Sequence, residues 1–191
     1  MKRLSIIFLL FFLCCTNPFA TRNPDKPAQN TNPQPVNSLQ NYPDSVIWKM
    51  QYAFSEKNSN YYMDCLADPS FKYVPQQNES YRLTGWTRDD EYNYFNSLIN
   101  NNDVVNLKLI IDKDKIQPAT PIGSSQDTMQ TRFEYEIEIN FKLRKEYFRG
   151  QSILKLFRSQ QSLWYIYYWE DLQITSDDAD STWSTLKANY R

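Results

Sequence analysis

The chain has 191 residues, enough for one domain with extensions. A net charge of −1 leaves no basic footprint for nucleic acid, and the absence of His removes His-centred triads, the commonest general base and His metal ligands. Only 3 Gly are present and no two lie close together, so a phosphate-cradling loop or a dinucleotide fingerprint is excluded.

Met1-Lys2-Arg3 is a short positive segment, and Leu4 to Leu13 is an apolar stretch of ten residues. About 20 are needed to span a bilayer, so the stretch fits a secretory signal instead. Cys14 and Cys15 follow directly. An apolar core that ends on Cys resembles the lipobox of bacterial lipoproteins. In that family the thiol receives a diacylglyceryl group, the leader is cut before it, and the new amino group is acylated. The family prefers a small residue before the modified Cys, which favours Cys15, preceded by Cys14, over Cys14, preceded by Leu13. The resemblance implies a signal peptide over 1–14, lipidation at Cys15 and a cell-envelope location. Thr16 in second place of the mature chain leans toward the outer membrane over the inner. The alternative is a plain cleaved signal cut after Ala20, with both Cys lost.

Residues 15–42 carry Pro18, Pro24, Pro27, Pro33 and Pro35 among many Asn, Gln and Thr, with no hydrophobic periodicity. Such a segment cannot bury a core and reads as an extended tether. The folded domain is expected over 43–191. Pro43-Asp44-Ser45 opens a helix whose Val46, Met50, Ala53 and Phe54 share one face. Tyr61 to Ala67 reads as a short second helix containing Cys65, which is expected to be a buried, inert thiol. A short strand over 71–74 follows, then a helix over 88–100 capped by Thr87, with Tyr92, Phe95, Leu98 and Ile99 on its apolar face.

From there the chain turns to strands, at 104–111, 131–144, 148–157 and 163–172. The second alternates without a break, Phe133, Tyr135, Ile137, Ile139, Phe141 and Leu143 against a charged row that includes Glu134, Glu136 and Glu138. Residues 112–127 read as a polar loop with two Pro. The last strand, Leu163 to Leu172, carries large side chains on both faces, which predicts cover on both sides. Asp180 to Tyr190 reads as a closing helix with Trp183, Leu186 and Tyr190 on one side.

This order is α+β. It resembles the nuclear transport factor 2-like (cystatin-like) superfamily, which includes ketosteroid isomerases and polyketide cyclases. The resemblance covers about 43–172 and rests on the element order and on Trp164-x-Ile-x-x-Trp-x-Asp171. It implies a curved antiparallel sheet of four to five strands, cone-shaped, with N-terminal helices packed on it, and a pocket at its open end. It also implies a possible homodimer through the sheet face.

No catalytic residue, metal ligand or cofactor is assigned. Asp64 and Asp68 flank the second helix and read as solvated charges, with a catalytic role as the alternative. Glu170 and Asp171 point to opposite faces of a strand, which disfavours a shared cation. Asn78-Glu79-Ser80 fits a glycosylation sequon of no expected consequence. The leading expectation is a membrane-anchored, non-catalytic lipoprotein that binds a small ligand or a protein partner. The alternative is a small isomerase or dehydratase that uses a buried carboxylate in the cone.

Overall fold

The computed structural model describes residues 39–174 and 181–191. The leader, Cys14, Cys15, most of the tether and Asp180 lie outside the described residues. Contacts of the domain reach back to Gln40, which is buried and donates to the carbonyls of Asp64 (2.8 Å) and Trp164 (3.1 Å).

Alternation dictates the central strands. β4 (Thr128–Phe141) pairs antiparallel with β5 (Lys145–Arg158), and β5 with β6 (Trp164–Leu172). Phe133, Tyr135, Ile137, Ile139 and Phe141 turn to the core, as expected, whereas Leu143 sits in the hairpin turn and is 97% exposed. The inward face of β5 is Phe148, Gly150, Ser152, Leu154 and Leu156. On β6 the inward side is fully buried and the outward side only half-buried, so the cover on both sides that its composition predicts is incomplete.

The curved sheet has six strands and is mixed, against the four to five antiparallel strands expected. β1 (Lys72–Val74) lies parallel to β6 and forms one edge. β2 (Val104–Ile110) pairs with the second half of β4, and β3 (Gln117–Pro121) pairs with its first half. β3 falls inside the stretch read as loop. Its Pro118 and Pro121 donate no backbone hydrogen bonds, which an edge strand tolerates.

Helices α1 (Ser45–Ser55), α2 (Ser59–Met63) and α3 (Arg88–Ile99) bury one face each in the same core. Thr87 caps α3 in a reciprocal pair with Asp90. The inward residues of α3 are Glu91, Tyr94, Phe95 and Leu98, while Tyr92 is 47% exposed, so the apolar face expected at Tyr92 is rotated. α1 also shields the free edge of β2. Lys57 Nζ, just past α1, donates to Val104 O (2.7 Å), and Gln51 Nε2 donates to Leu109 O (2.8 Å).

Gly150 marks a tight approach in the sheet. A Cβ there would collide with the Tyr135 hydroxyl and stand 2.8 Å from Leu172 O. Gly150→Ala is expected to lower stability by about 1–3 kcal/mol through overpacking. Leu143→Asp, at the exposed turn, should change it by less than about 0.5 kcal/mol. Urea unfolding of both variants checks this pair.

Candidate functional site

The spacing Trp164-x-Ile-x-x-Trp-x-Asp171 has a structural cause. The β5–β6 register slips between Leu156, opposite Ile166, and Lys155, opposite Tyr168, so one extra residue enters β6. The bulge returns Trp169 and Asp171 to the face already used by Trp164 and Ile166, and all four are buried. Glu170 turns outward, as alternation requires, and accepts from Tyr168 Oη at 3.1 Å.

Asp171 therefore projects a carboxylate into the core. Its Oδ1 accepts from Tyr135 Oη at 2.5 Å. Its Oδ2 accepts from the backbone N–H of Ser184 at 2.7 Å and from Ser184 Oγ at 2.6 Å. Ser184 belongs to α4 (Trp183–Asn189), the closing helix. The N–H of Trp183 donates to Tyr135 Oη at 2.8 Å. Since the Ser184 hydroxyl gives its one proton to Asp171, it accepts from Gln76 N–H (2.9 Å) and from Tyr73 Oη (2.8 Å). Two of the orphan N–H groups that open α4 are thus satisfied by the sheet.

α4 turns one face into the core: Trp183, Ser184, Leu186 and Lys187 are buried, Thr185 and Ala188 half-buried and Asn189 exposed. Trp183 stands edge-on to Trp169 at 4.4 Å between centroids, meets Phe54 of α1 at 5.4 Å, and donates Nε1–H to Tyr94 Oη at 3.0 Å. One turn on, Lys187 is fully buried and forms an ion pair with Glu91 of α3. Its ammonium sits 3.4 Å from the ring centroid of Tyr73 and 3.7 Å from that of Trp169. Glu91 also accepts from Trp86 Nε1 (2.9 Å) and Tyr62 Oη (2.8 Å). Arg82 binds the last turn, through Ala188 O at 2.9 Å and Asn189 Oδ1 at 3.0 Å.

Burial governs the titration of these groups. It pushes the Asp171 carboxyl up against the hydrogen bonds from Ser184 and Tyr135 that favour its charged form. It pulls Lys187 down from 10.5 to about 8, although Glu91 acts in the opposite sense. Tyr62, Tyr73, Tyr94 and Tyr135 are all held well above their usual value, chiefly by burial. A buried carboxyl beside a Tyr hydroxyl is a constellation that acid–base chemistry can use. Here Ser184 of α4 occupies Asp171 Oδ2, the Trp183 N–H occupies Tyr135 Oη, and the Trp183 ring packs on Tyr135 and Trp169.

The other sequence candidates lie outside this interior. Asp64 and Asp68 are 56% and 71% exposed in their side chains and pair with Lys49 (3.4 Å) and Arg88 (3.7 Å). Glu134, Glu136 and Glu138 form an outward row that pairs with Lys115 (2.6 Å), Arg149 (2.6 Å) and Lys145 (3.7 Å). A groove of about 300 Å³ beside Glu134 and Glu136 carries these compensated charges and no concentrated one. Asn78 and Glu79 lie in the 3₁₀ turn Gln77–Glu79, with Ser80 directly after it. Cys65 is buried, its thiol pushed up to about 12 by burial, so no thiolate is offered for nucleophilic work. Among the described residues no cluster of His, Cys, Asp and Glu could hold a metal ion.

Glu91 and Lys187 escape a reading of the sequence that seeks motifs. Their signal is positional: Glu91 precedes Phe95 by four and Leu98 by seven, and Lys187 follows Trp183 by four. Each is a charge on the apolar stripe of a helix, and the two are of opposite sign.

Two outcomes follow from the pair. Lys187→Met leaves Glu91 buried without its cation and is expected to cost about 3–5 kcal/mol, while Lys187→Met with Glu91→Gln costs less than the sum of the singles. The pH dependence has a definite sign. Lys187 titrates lower when folded, so from about pH 8 upward the unfolded chain holds more protons and stability rises. Cys65 and the four tyrosines titrate higher when folded, so above about pH 9 they reverse the slope. Urea midpoints measured across this range should show the rise in the wild type and lose it in Lys187→Met.

No protein-family model and no curated protein matches the sequence. Solved structures do match the fold. A scytalone dehydratase candidate from Novosphingobium aromaticivorans superposes with a TM-score of 0.55 at 10% identity, over 73% of this chain and 89% of that one. A ketosteroid isomerase-like protein from Erwinia carotovora atroseptica gives 0.51 at 13% identity, over 73% and 98%. A Mycobacterium tuberculosis protein of unknown function gives 0.53 at 10% identity, over 76% and 81%. At these identities the likeness is one of architecture: the domain has the cystatin-like fold of the nuclear transport factor 2-like proteins.

Proposed function

We propose that the chain is a lipid-anchored protein of the bacterial cell envelope, in the outer membrane rather than the inner, whose domain binds a partner and does not catalyse. The observation that carries the binding reading is the occupied interior. Trp183, Leu186 and Lys187 of α4 are fully buried where a small substrate would have to stand. The interior is complementary to a helix, through an aromatic wall, an ion pair and hydrogen bonds to helix ends, which is how protein partners are held. The lipobox-like Leu13-Cys14-Cys15 supports the anchor, and the Pro-rich segment supports a spacer between membrane and domain. The outer sheet face carries Phe157 beside Tyr165 (5.8 Å) and Tyr167 (6.3 Å), a half-buried aromatic strip that suits a second copy of the chain.

A second reading is favoured by Asp171 beside Tyr135. Two of the solved structures are named for an isomerase-like or dehydratase activity, and on this reading the pair would move a proton on a flat aromatic or ketone substrate. Such a substrate must enter the cone, so a panel of phenols and aromatic ketones should raise the melting temperature of the intact protein. The binding reading expects no shift from any of them.

The anchor is tested by growing a bacterial host with labelled palmitate. Label should appear in the protein and in the membrane fraction, and both should be lost in Cys15→Ala. Label that survives in Cys15→Ala moves the site to Cys14, and an unlabelled wild-type protein in the soluble fraction refutes the anchor.

A further inference from the structure

The groups that receive α4 are held by residues that do not belong to it. Glu91 is fixed by Trp86 Nε1 and Tyr62 Oη, and Asp171 by Tyr135 within the sheet. Tyr73 of β1 and Trp169 of β6, the rings that face the Lys187 ammonium, meet edge-on at 5.6 Å. Glu91 and the Tyr73–Trp169 ring pair are therefore held without α4, while Asp171 Oδ2 and the hydroxyls of Tyr73 and Tyr94 find their partners in it. The receiving side is incomplete without an occupant. Two buried carboxylates, Glu91 and Asp171, face the interior, and among the described residues Lys187 is the cation that pairs with Glu91. A buried charge left without its partner is strongly unfavourable.

α4 in turn is attached as a bound peptide would be. Its ties to the domain are the side-chain and helix-end bonds described above, preceded by one backbone bond, from Arg149 N–H to Ser181 O at 2.8 Å. Each of these bonds could be made equally by a helix from another molecule. The occupant has a definite chemistry: an indole, then a small hydroxyl on the first turn to meet Asp171, then a primary ammonium four residues after the indole. Four residues is one helical turn, which sets indole and ammonium on the same face.

We propose that the concave site is a receptor for an amphipathic helix of pattern Trp-Ser-x-x-Lys, that α4 is its resident intramolecular occupant, and that a partner protein presenting this pattern exchanges with α4. This rests on the non-catalytic binding reading and names the partner's chemistry. The tethered occupant competes at an effective concentration of order millimolar, so a partner helix binds the intact chain more weakly than the vacated site. The arrangement sets a threshold that only an abundant or co-localised partner passes.

The test uses the full chain with Trp183→Ala and Lys187→Ala, which strips α4 of its two anchors, and a fluorescent peptide of residues 181–191. Anisotropy should show saturable binding at micromolar peptide, weakened at least about tenfold when the peptide carries Lys187→Ala. Absence of binding to a variant that retains its circular dichroism, or equal binding of the Lys-free peptide, overturns the proposal. Should the variant not fold, hydrogen exchange on the wild-type chain decides. Amides of α4 should then exchange at least about tenfold faster than those of β4 and β5, through local release. Equal protection, meaning release only by global unfolding, overturns it. The palmitate experiment reads Cys15 and is independent of this result.

Discussion

The arrangement depends on one buried ion pair. Lys187 and Glu91 are taken out of water together, and the cost of desolvating both charges is offset only because each finds further partners. The carboxylate gathers an indole N–H and a phenol, and the ammonium gathers two ring faces. A buried pair of this kind contributes less to net stability than an apolar contact of the same volume would. It fixes which helix sits there and in which register. Sliding α4 by one residue would bring Ala188 or Leu186 to Glu91 and leave a carboxylate in the core without a counter-charge.

Asp171 imposes a second, independent constraint on the same helix from its other end. Tyr135 relays between them, donating to Asp171 and accepting from the first N–H of α4. The helix is thus gripped at its N-terminus by a sheet carboxylate and on its last turn by a carboxylate from α3, with Arg82 on the final carbonyls. Aromatic rings occupy the space between the grips. Interior Tyr residues are numerous here because a ring that fills volume and also carries a hydroxyl can serve both the packing and the polar network.

Much of this was readable from the chain. The unbroken alternation of β4, the Thr87 cap and the short turns around β5 fix the sheet and α3, because each is a local rule with a local signal. The Trp-x-Ile-x-x-Trp-x-Asp ending was readable as a fold mark, and its double gap is the bulge itself. The pairing of β1 with β6 and the strand at Gln117–Pro121 were not, since a three-residue parallel edge and a proline-bearing edge have little periodicity to show. The placement of α4 was hidden for a different reason. Trp183, Leu186 and Lys187 announce a face, but only the assembled concavity says what that face meets. Tyr92 misled because a half-exposed Tyr scores as apolar in a pattern while tolerating water in a fold.

The stoppered edge of β2 bears on how the molecule tolerates company. Val105 and Leu143 are left bare close to that border, 62% and 97% exposed, which would invite a neighbouring strand to zip alongside. Lys57 and Gln51 already occupy carbonyls such a strand would need, and the opposite border is the short β1. Sheet growth from molecule to molecule is hindered at these two margins, and along the third, β3, Pro118 and Pro121 withhold donors. Copies crowded side by side are thus less prone to fuse edge to edge.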